Sequence, residues 1–201
     1  MVTACGVVSL FDLLADFHEA YPGIDLALSE DTSDRLVDGV IGGWLDLALV
    51  GLGEATPGAV DSLTIADEAL VAAVPHDDPL AIRKTIPLGS LQDRPLICLP
   101  RGTGVRTAFD NACAQRGIQP RIALEASAPD VVAGLAVRGL GVAILSESMA
   151  RAQQSKLQSL TIIEPRLRSR LELVWKTVGP ATPAATALIT YAKRAHAVPL
   201  A

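Results

Sequence analysis

The chain has 201 residues, of which 50% are hydrophobic and 19% charged, with a mean hydropathy of +0.36. That length and apolar content can bury a core and exclude a disordered chain. Lys and Arg total 17 against 22 Asp and Glu, a net charge of −5, which argues against a surface built to hold a nucleic-acid backbone.

Strand and helix patterns alternate along the chain. A first helix is expected from Gly6 to Ala20, with Leu10, Leu13, Leu14, Phe17 and Tyr21 on one stripe and Pro22-Gly23 as its stop. Ile24 to Ser29 reads as a strand. Thr32 or Ser33 caps a second helix carrying Leu36, Val37, Val40 and Ile41 inward, ended by Gly42-Gly43. Leu45 to Val50 is a short apolar strand that leads into the loop from Gly51 to Gly58. Ala69 to Val74 and Pro95 to Leu99 read as buried strands. The loop Pro100-Arg101-Gly102-Thr103-Gly104 then enters a helix with Val105, Ala108, Phe109, Ala112 and Cys113 inside. Ile122 to Ala126 is a strand, Ser127 with Pro129 starts a helix, and Gly141 to Leu145 is a further strand. Leu171 to Val178 and a last helix opened by Thr182-Pro183, burying Ala187, Leu188, Tyr191 and Ala195, complete the series.

Such alternation predicts an α/β protein with mostly parallel sheets covered by helices on both faces. Loops that leave strands and enter helix N-termini then form a ligand crevice. Thr3, Thr32, Ser33, Thr103 and Ser127 sit in these loops, where unpaired N–H groups and hydroxyls suit a carboxylate or similar anion. Each could equally be an ordinary cap. Arg101 precedes its helix and could reach an anion, whereas Arg106, four residues before Asp110, is expected in a surface pair.

Other chemistries are poorly supported. No apolar run reaches the ~18 residues of a membrane span. Cys5, Cys98 and Cys113 are far apart, and His18, His76 and His196 have no second ligand at metal spacing. Neither a GxSxG nor an HExxH motif occurs. Cys5 at a helix start lacks a His partner and reads as a small packing thiol. The short basic cluster Arg166, Arg168 and Arg170 reads as a solvated loop. No enzyme, metal or cofactor is therefore expected, and the absence of a leader pattern suggests the cytoplasm.

Five segments, in order, carry a resemblance. They are Phe17-His-Glu-Ala-Tyr21-Pro22 followed by Ile24-Asp-Leu-Ala-Leu28; Gly43-Trp-Leu45-Asp46-Leu47-Ala48-Leu49; Val74-Pro75-His76-Asp-Asp-Pro79-Leu80; Pro95-Leu-Ile-Cys-Leu-Pro100; and Gly139-Leu140-Gly141-Val142-Ala143-Ile144-Leu145. Over nearly its whole length the chain resembles the effector-binding domain of LysR-type transcriptional regulators. The resemblance implies a periplasmic-binding-protein-like fold of type II, with two Rossmann-like lobes joined by two crossover strands. One lobe would hold residues 1–70 plus 167–201, the other residues 71–166.

It further implies a small organic acid effector held between the lobes. By position the contacts would be Thr3, Ala4 and Cys5, then Thr32 and Ser33, then Gly102 and Thr103, then Ser127 and Ala128. A homodimer or tetramer is implied, with the first helix (Leu10, Leu14, Phe17) as one candidate surface, although these residues could equally face their own core. The family's winged helix-turn-helix has no counterpart before Met1, and the first strand looks clipped, so DNA would be read only through a domain outside this chain. Ser146 stands where the family often has Pro, at a position where Ser caps well. Two alternatives share the fold: a transport solute-binding protein and, less favoured, an enzyme.

Overall fold

A computed structural model describes residues 9–52, 58–179 and 182–197. Helix α1 (Ser9–Ala20) ends where Pro22 forbids continuation. Helix α2 (Ser33–Gly42) ends at Gly43, whose φ of +80° is a left-handed cap, with its N–H bonded back to the last turn. There follow β1 (Leu47–Leu52), the 16-residue β2 (Val60–Pro75), β3 (Thr85–Pro87), β4 (Leu96–Cys98), α3 (Gly104–Gln115) and β5 (Ile122–Glu125). Then come α4 (Pro129–Val137), β6 (Val142–Ser146), α5 (Glu147–Arg151), β7 (Leu157–Ile163), β8 (Arg168–Lys176) and α6 (Pro183–Ala197). Thr182 caps α6 as expected, its Oγ1 accepting from the Ala185 N–H at 3.1 Å.

The strands run in the order β1-β8-β2-β6-β4-β5, with β3 and β7 attached through β2. β2 serves two groups of strands. From Val60 to Ala69 it pairs with β8, and from Leu70 to Pro75 it pairs with β6 and β7. Where β2 changes partners, Leu70 N–H donates to Leu167 O at 2.9 Å. The first group packs α2 on one face through Leu36, Val37 and Val40, and α1 and α6 on the other, where Ala192 meets Leu49 and Leu173. The second group has a larger core, built from Leu70–Val74, β4, β6, β7 and the inner faces of α3 and α4.

Several expectations need correction. The sheets are not mostly parallel: β1–β8, β2–β8, β2–β6 and β2–β7 are antiparallel, and only β3–β7, β4–β5 and β4–β6 are parallel. β2 and β8 are the cause. The expectation took the alternation as strand–helix–strand throughout, but β7 and β8 are joined by the short turn 164–167, and the long β2 runs antiparallel to β6, β7 and β8. Ile24 to Ser29 forms neither helix nor strand ladder among the described residues, and Leu26 and Leu28 are exposed. The buried stripe of α6 is Ala185, Ile189 and Ala192 rather than Ala187, Leu188, Tyr191 and Ala195. The basic cluster is only partly loop: Arg166 lies in an exposed turn, whereas Arg168 and Arg170 open β8, and Arg168 Nε meets Asp67 Oδ1 at 2.7 Å.

Phe17 is fully buried, its ring 4.8 Å from Tyr21 and 5.7 Å, edge-on, from Tyr191 of α6. It therefore belongs to its own core rather than to a dimer surface. Among the described residues no helix is long and apolar enough to cross a membrane.

Candidate functional site

The segment entering α2 and the loop from β4 to α3 meet between the strand groups. Thr32 is extended at φ −67°, ψ 154° and stands at the N-cap of α2, but its hydroxyl makes no capping bond. Its N–H goes to Asp31 Oδ1 at 2.8 Å. Ser33 is buried and works twice: its N–H donates to Gly102 O at 3.0 Å, and its Oγ accepts from Gly51 N–H at 3.1 Å. The structure thus brings Ser33 and Thr32 against Gly102, where a Cβ would stand 3.3 Å from Thr32 Cβ. Gly102 has φ +85°, a conformation L side chains rarely adopt, so only glycine suits this turn.

Thr103 is the N-cap of α3, and its hydroxyl donates to Pro100 O at 2.9 Å instead of capping. The first N–H groups of α2 and α3 have no acceptor within their own helices, which gives the gap between them a partial positive character. Asp31 and Asp34 temper it on the α2 side, while Arg101 lies exposed in the facing loop. Ser127 and Ala128 follow β5. Because β4 and β5 are parallel, this loop leaves the sheet at the same end as the loop 100–104, and Ala126 N–H donates to Cys98 O at 3.1 Å. Ala128, not Ser127, is the N-cap of α4. Thr3, Ala4 and Cys5 lie outside the described residues.

Arg106 departs from its expected surface role. Its side chain is 4% exposed. Its Nε bonds both Asp110 oxygens at 2.9 Å, and its Nη1 reaches Leu99 O at 3.2 Å and Glu125 Oε1 at 2.6 Å. One guanidinium therefore ties α3, the end of β4 and β5 together, fixing the loops around 100–104 and 126–128. Burial opposes its charge, but the hydrogen bonds it donates to Glu125 and Asp110 outweigh that and raise its pKa.

Reading the sequence missed Gly51, Gly104 and the depth of Arg106. A glycine directly after the buried run Ala48–Val50 is a sign of close backbone approach. Glu172 on β8 was also missed. It is 1% exposed, takes the Thr64 hydroxyl on Oε1 at 3.0 Å, and has no hydrogen-bond partner on Oε2.

Two cysteines bear on redox chemistry. Cys98 and Cys113 are free and buried. Burial pushes the Cys98 thiol from 9.0 up to about 12, and the Cys113 thiol from 9.0 to about 11. Both stay protonated near neutrality, so neither is a ready nucleophile. Native protein at pH 8 is expected to leave both untouched by a thiol-disulfide reagent, and denaturant to expose both. Above pH 9 the unfolded chain releases these protons first. Stability therefore falls as pH rises from about 9 toward 12, and Cys98→Ala lessens that fall in urea titrations at pH 8 and 10.5.

A separate cavity of about 320 Å3 lies between the Ile24–Ser29 segment and β1. Leu14, Phe17, Leu26, Leu28, Leu47 and Leu49 line it, with Asp25 and Asp46 among its few polar residues. Nothing there converges on an anion. Among the described residues no cluster of His, Cys, Asp and Glu could hold a metal.

A family model described as the LysR substrate binding domain matches residues 1–197. The chain is 29% identical to the HTH-type transcriptional regulator YybE of Bacillus subtilis (strain 168) over 85% of its length and 58% of that protein. It is 33% identical to a probable hydrogen peroxide-inducible genes activator of Mycobacterium avium, over 82% of this chain and 54% of that one. It thus spans little more than half of these relatives. Among solved structures, the effector binding domain of QuiR in complex with shikimate superposes with a TM-score of 0.80 at 21% identity, covering 96% of this chain and 93% of that one. The Synechocystis PCC6803 CcmR regulatory domain in complex with 2-PG gives 0.81 at 22% identity, covering 97% and 93%. The fold is the type II periplasmic-binding-protein-like fold shared by these domains.

Proposed function

The chain belongs to the LysR substrate binding domain family, and from that premise we propose that it is the effector-sensing part of a transcription regulator. A small organic anion binds between the two strand groups. The observation that carries this reading is the convergence of two helix N-termini, α2 at Thr32 and Ser33 and α3 at Gly102 and Thr103, across one gap. Thr3, Ala4, Cys5, Ser127 and Ala128 complete the proposed contacts. The lobes are residues 1–70 plus 167–201 and residues 71–166, a division supported by the change of β2 partners between Ala69 and Leu70.

The QuiR and CcmR domains hold shikimate and 2-PG, which supports a small acidic ligand here. The module performs no catalysis, acts in the cytoplasm and pairs with copies of itself, while DNA contact comes from other parts of the regulator. The effector can shift the assembly only by binding two arrangements with different affinity.

Titration calorimetry with small carboxylates and phosphates, shikimate and 2-phosphoglycolate among them, tests the reading. At least one acid is expected to bind with Kd below about 1 mM. Arg101→Ala is expected to weaken it by about 5-fold, the scale of an exposed charge pair. Failure of every acid to bind contradicts effector sensing.

A further inference from the structure

The two loops touch through backbone rather than through side chains. Gly51, near the C-terminal end of β1, lies against Gly104, the first residue of α3. A Cβ on Gly104 would stand 2.3 Å from the Gly51 carbonyl carbon and 2.6 Å from its oxygen, a separation no side chain tolerates. A Cβ on Gly51 would stand 3.2 Å from the Gly104 nitrogen, tight but open to a small adjustment. Ser33 holds the same contact from the α2 side, giving its N–H to Gly102 O at 3.0 Å while its Oγ takes Gly51 N–H at 3.1 Å. Gly51, Gly102, Gly104 and Ser33 thus form one closed unit, with two members from each side of the gap.

We propose that this unit is a latch that ties the two sides of the gap together, with the Gly102 carbonyl as an internal stand-in for the effector. Ser33 is the first residue of α2, so its N–H has no acceptor inside the helix and the Gly102 carbonyl occupies it. A ligand oxygen that seeks this donor must displace that carbonyl. A carboxylate or phosphate oxygen is a stronger acceptor than a neutral carbonyl, so the exchange favours an anion. Once Gly102 is displaced, the loop 100–104 loses its tie to α2, while the Gly51–Gly104 contact and the Arg106 bond to Leu99 O still anchor its two ends. The latch stands on these contacts; its opening by an anion rests on the sensing reading above.

Amide hydrogen exchange on the ligand-free protein tests it, because Ser33 N–H is protected by this contact and by no helical bond. Ser33 is expected to exchange slowly in the parent. In Gly104→Ala it should exchange at least about 10-fold faster, with Gly51→Ala between the two, while Val37 deeper in α2 keeps its rate. The milder Gly51→Ala keeps the test decisive if Gly104→Ala does not fold. Equal Ser33 rates in parent and variants, or an unprotected Ser33 in the parent, overturn the latch. With 2-phosphoglycolate as the probe, Gly51→Ala is expected to bind about 3- to 10-fold more tightly than the parent, because less of the latch must be undone. Equal or weaker binding overturns the displacement step. If neither 2-phosphoglycolate nor any other acid binds while Ser33 exchange follows the stated order, the sensing reading fails and the latch stands.

Discussion

Arg106→Met is expected to lower stability by about 2–3 kcal/mol, read as a fall in Tm of about 4–12 °C for a chain of this size. The guanidinium is 4% exposed and meets two carboxylates that are themselves 34% and 46% exposed. Removing it strands the Leu99 carbonyl, leaves Asp110 and Glu125 facing each other without their shared cation, and severs the tie between α3, β4 and β5. Water still reaches both carboxylates, so the loss stays below that of a fully buried pair. Met keeps most of the packed stem, so the effect reports charge and hydrogen bonding rather than a cavity. Arg106→Lys restores less than half, because an ammonium cannot serve Asp110, Glu125 and Leu99 in one plane. A change within 0.5 kcal/mol in Arg106→Met would show that the network does not hold the loops.

Gly141→Ala is expected to cost about 2–4 kcal/mol, chiefly through a clash, with the strain of its φ of +159° added. A Cβ at Gly141 would stand 2.5 Å from the Pro95 carbonyl oxygen and 3.1 Å from Ile97 Cγ1. That same carbonyl accepts the Val142 N–H at 2.9 Å, the bond that begins the β4–β6 pairing. Making room therefore means pulling the two central strands of the second group apart. Gly139, two residues earlier, provides the control. Its φ is +74° and nothing lies within 4 Å of its Cβ position, so Gly139→Ala should cost only about 1 kcal/mol from backbone strain. Urea unfolding of both variants separates the two causes. Equal losses would contradict the steric account of Gly141.

The sequence was most legible where one helix face meets one core. In α3 the five residues read as buried, from Val105 to Cys113, are all buried, because the 3.6-residue period and a core on one side leave one solution. In α6 the apolar residues surround more of the helix, so the stripe was placed on Ala187 and Tyr191 rather than on Ala185, Ile189 and Ala192. β7 went unread, since Leu157, Leu160 and Ile162 are interrupted by Gln158, Ser159 and Thr161. The first half of β2 went unread for a related reason. Asp61, Thr64 and Asp67 are exposed polar residues in a thin three-stranded group, and they bond Thr177, Glu172 and Arg168 on the neighbouring chain segment, which an apolar pattern does not register. Of the site, the loop carrying Gly102 and Thr103 was legible as a strand-to-helix turn, and Ser33 as a helix start, although no strand precedes it among the described residues. The partners of those residues were not. That Ser33 N–H bonds Gly102 rather than a ligand, and that Gly51 meets Gly104, depends on contacts between residues tens of positions apart, which no local pattern encodes.

An anion is proposed to sit between the α2 and α3 N-termini. Amide chemical shifts followed during titration of the protein with 2-phosphoglycolate, shikimate and related acids report its position. For at least one acid the largest shifts are expected on Ser33, Asp34, Thr103 and Gly104, and they should saturate. Saturable shifts confined to Leu26, Leu28, Leu47 and Leu49 around the apolar cavity, or no saturable shift with any acid, would contradict it.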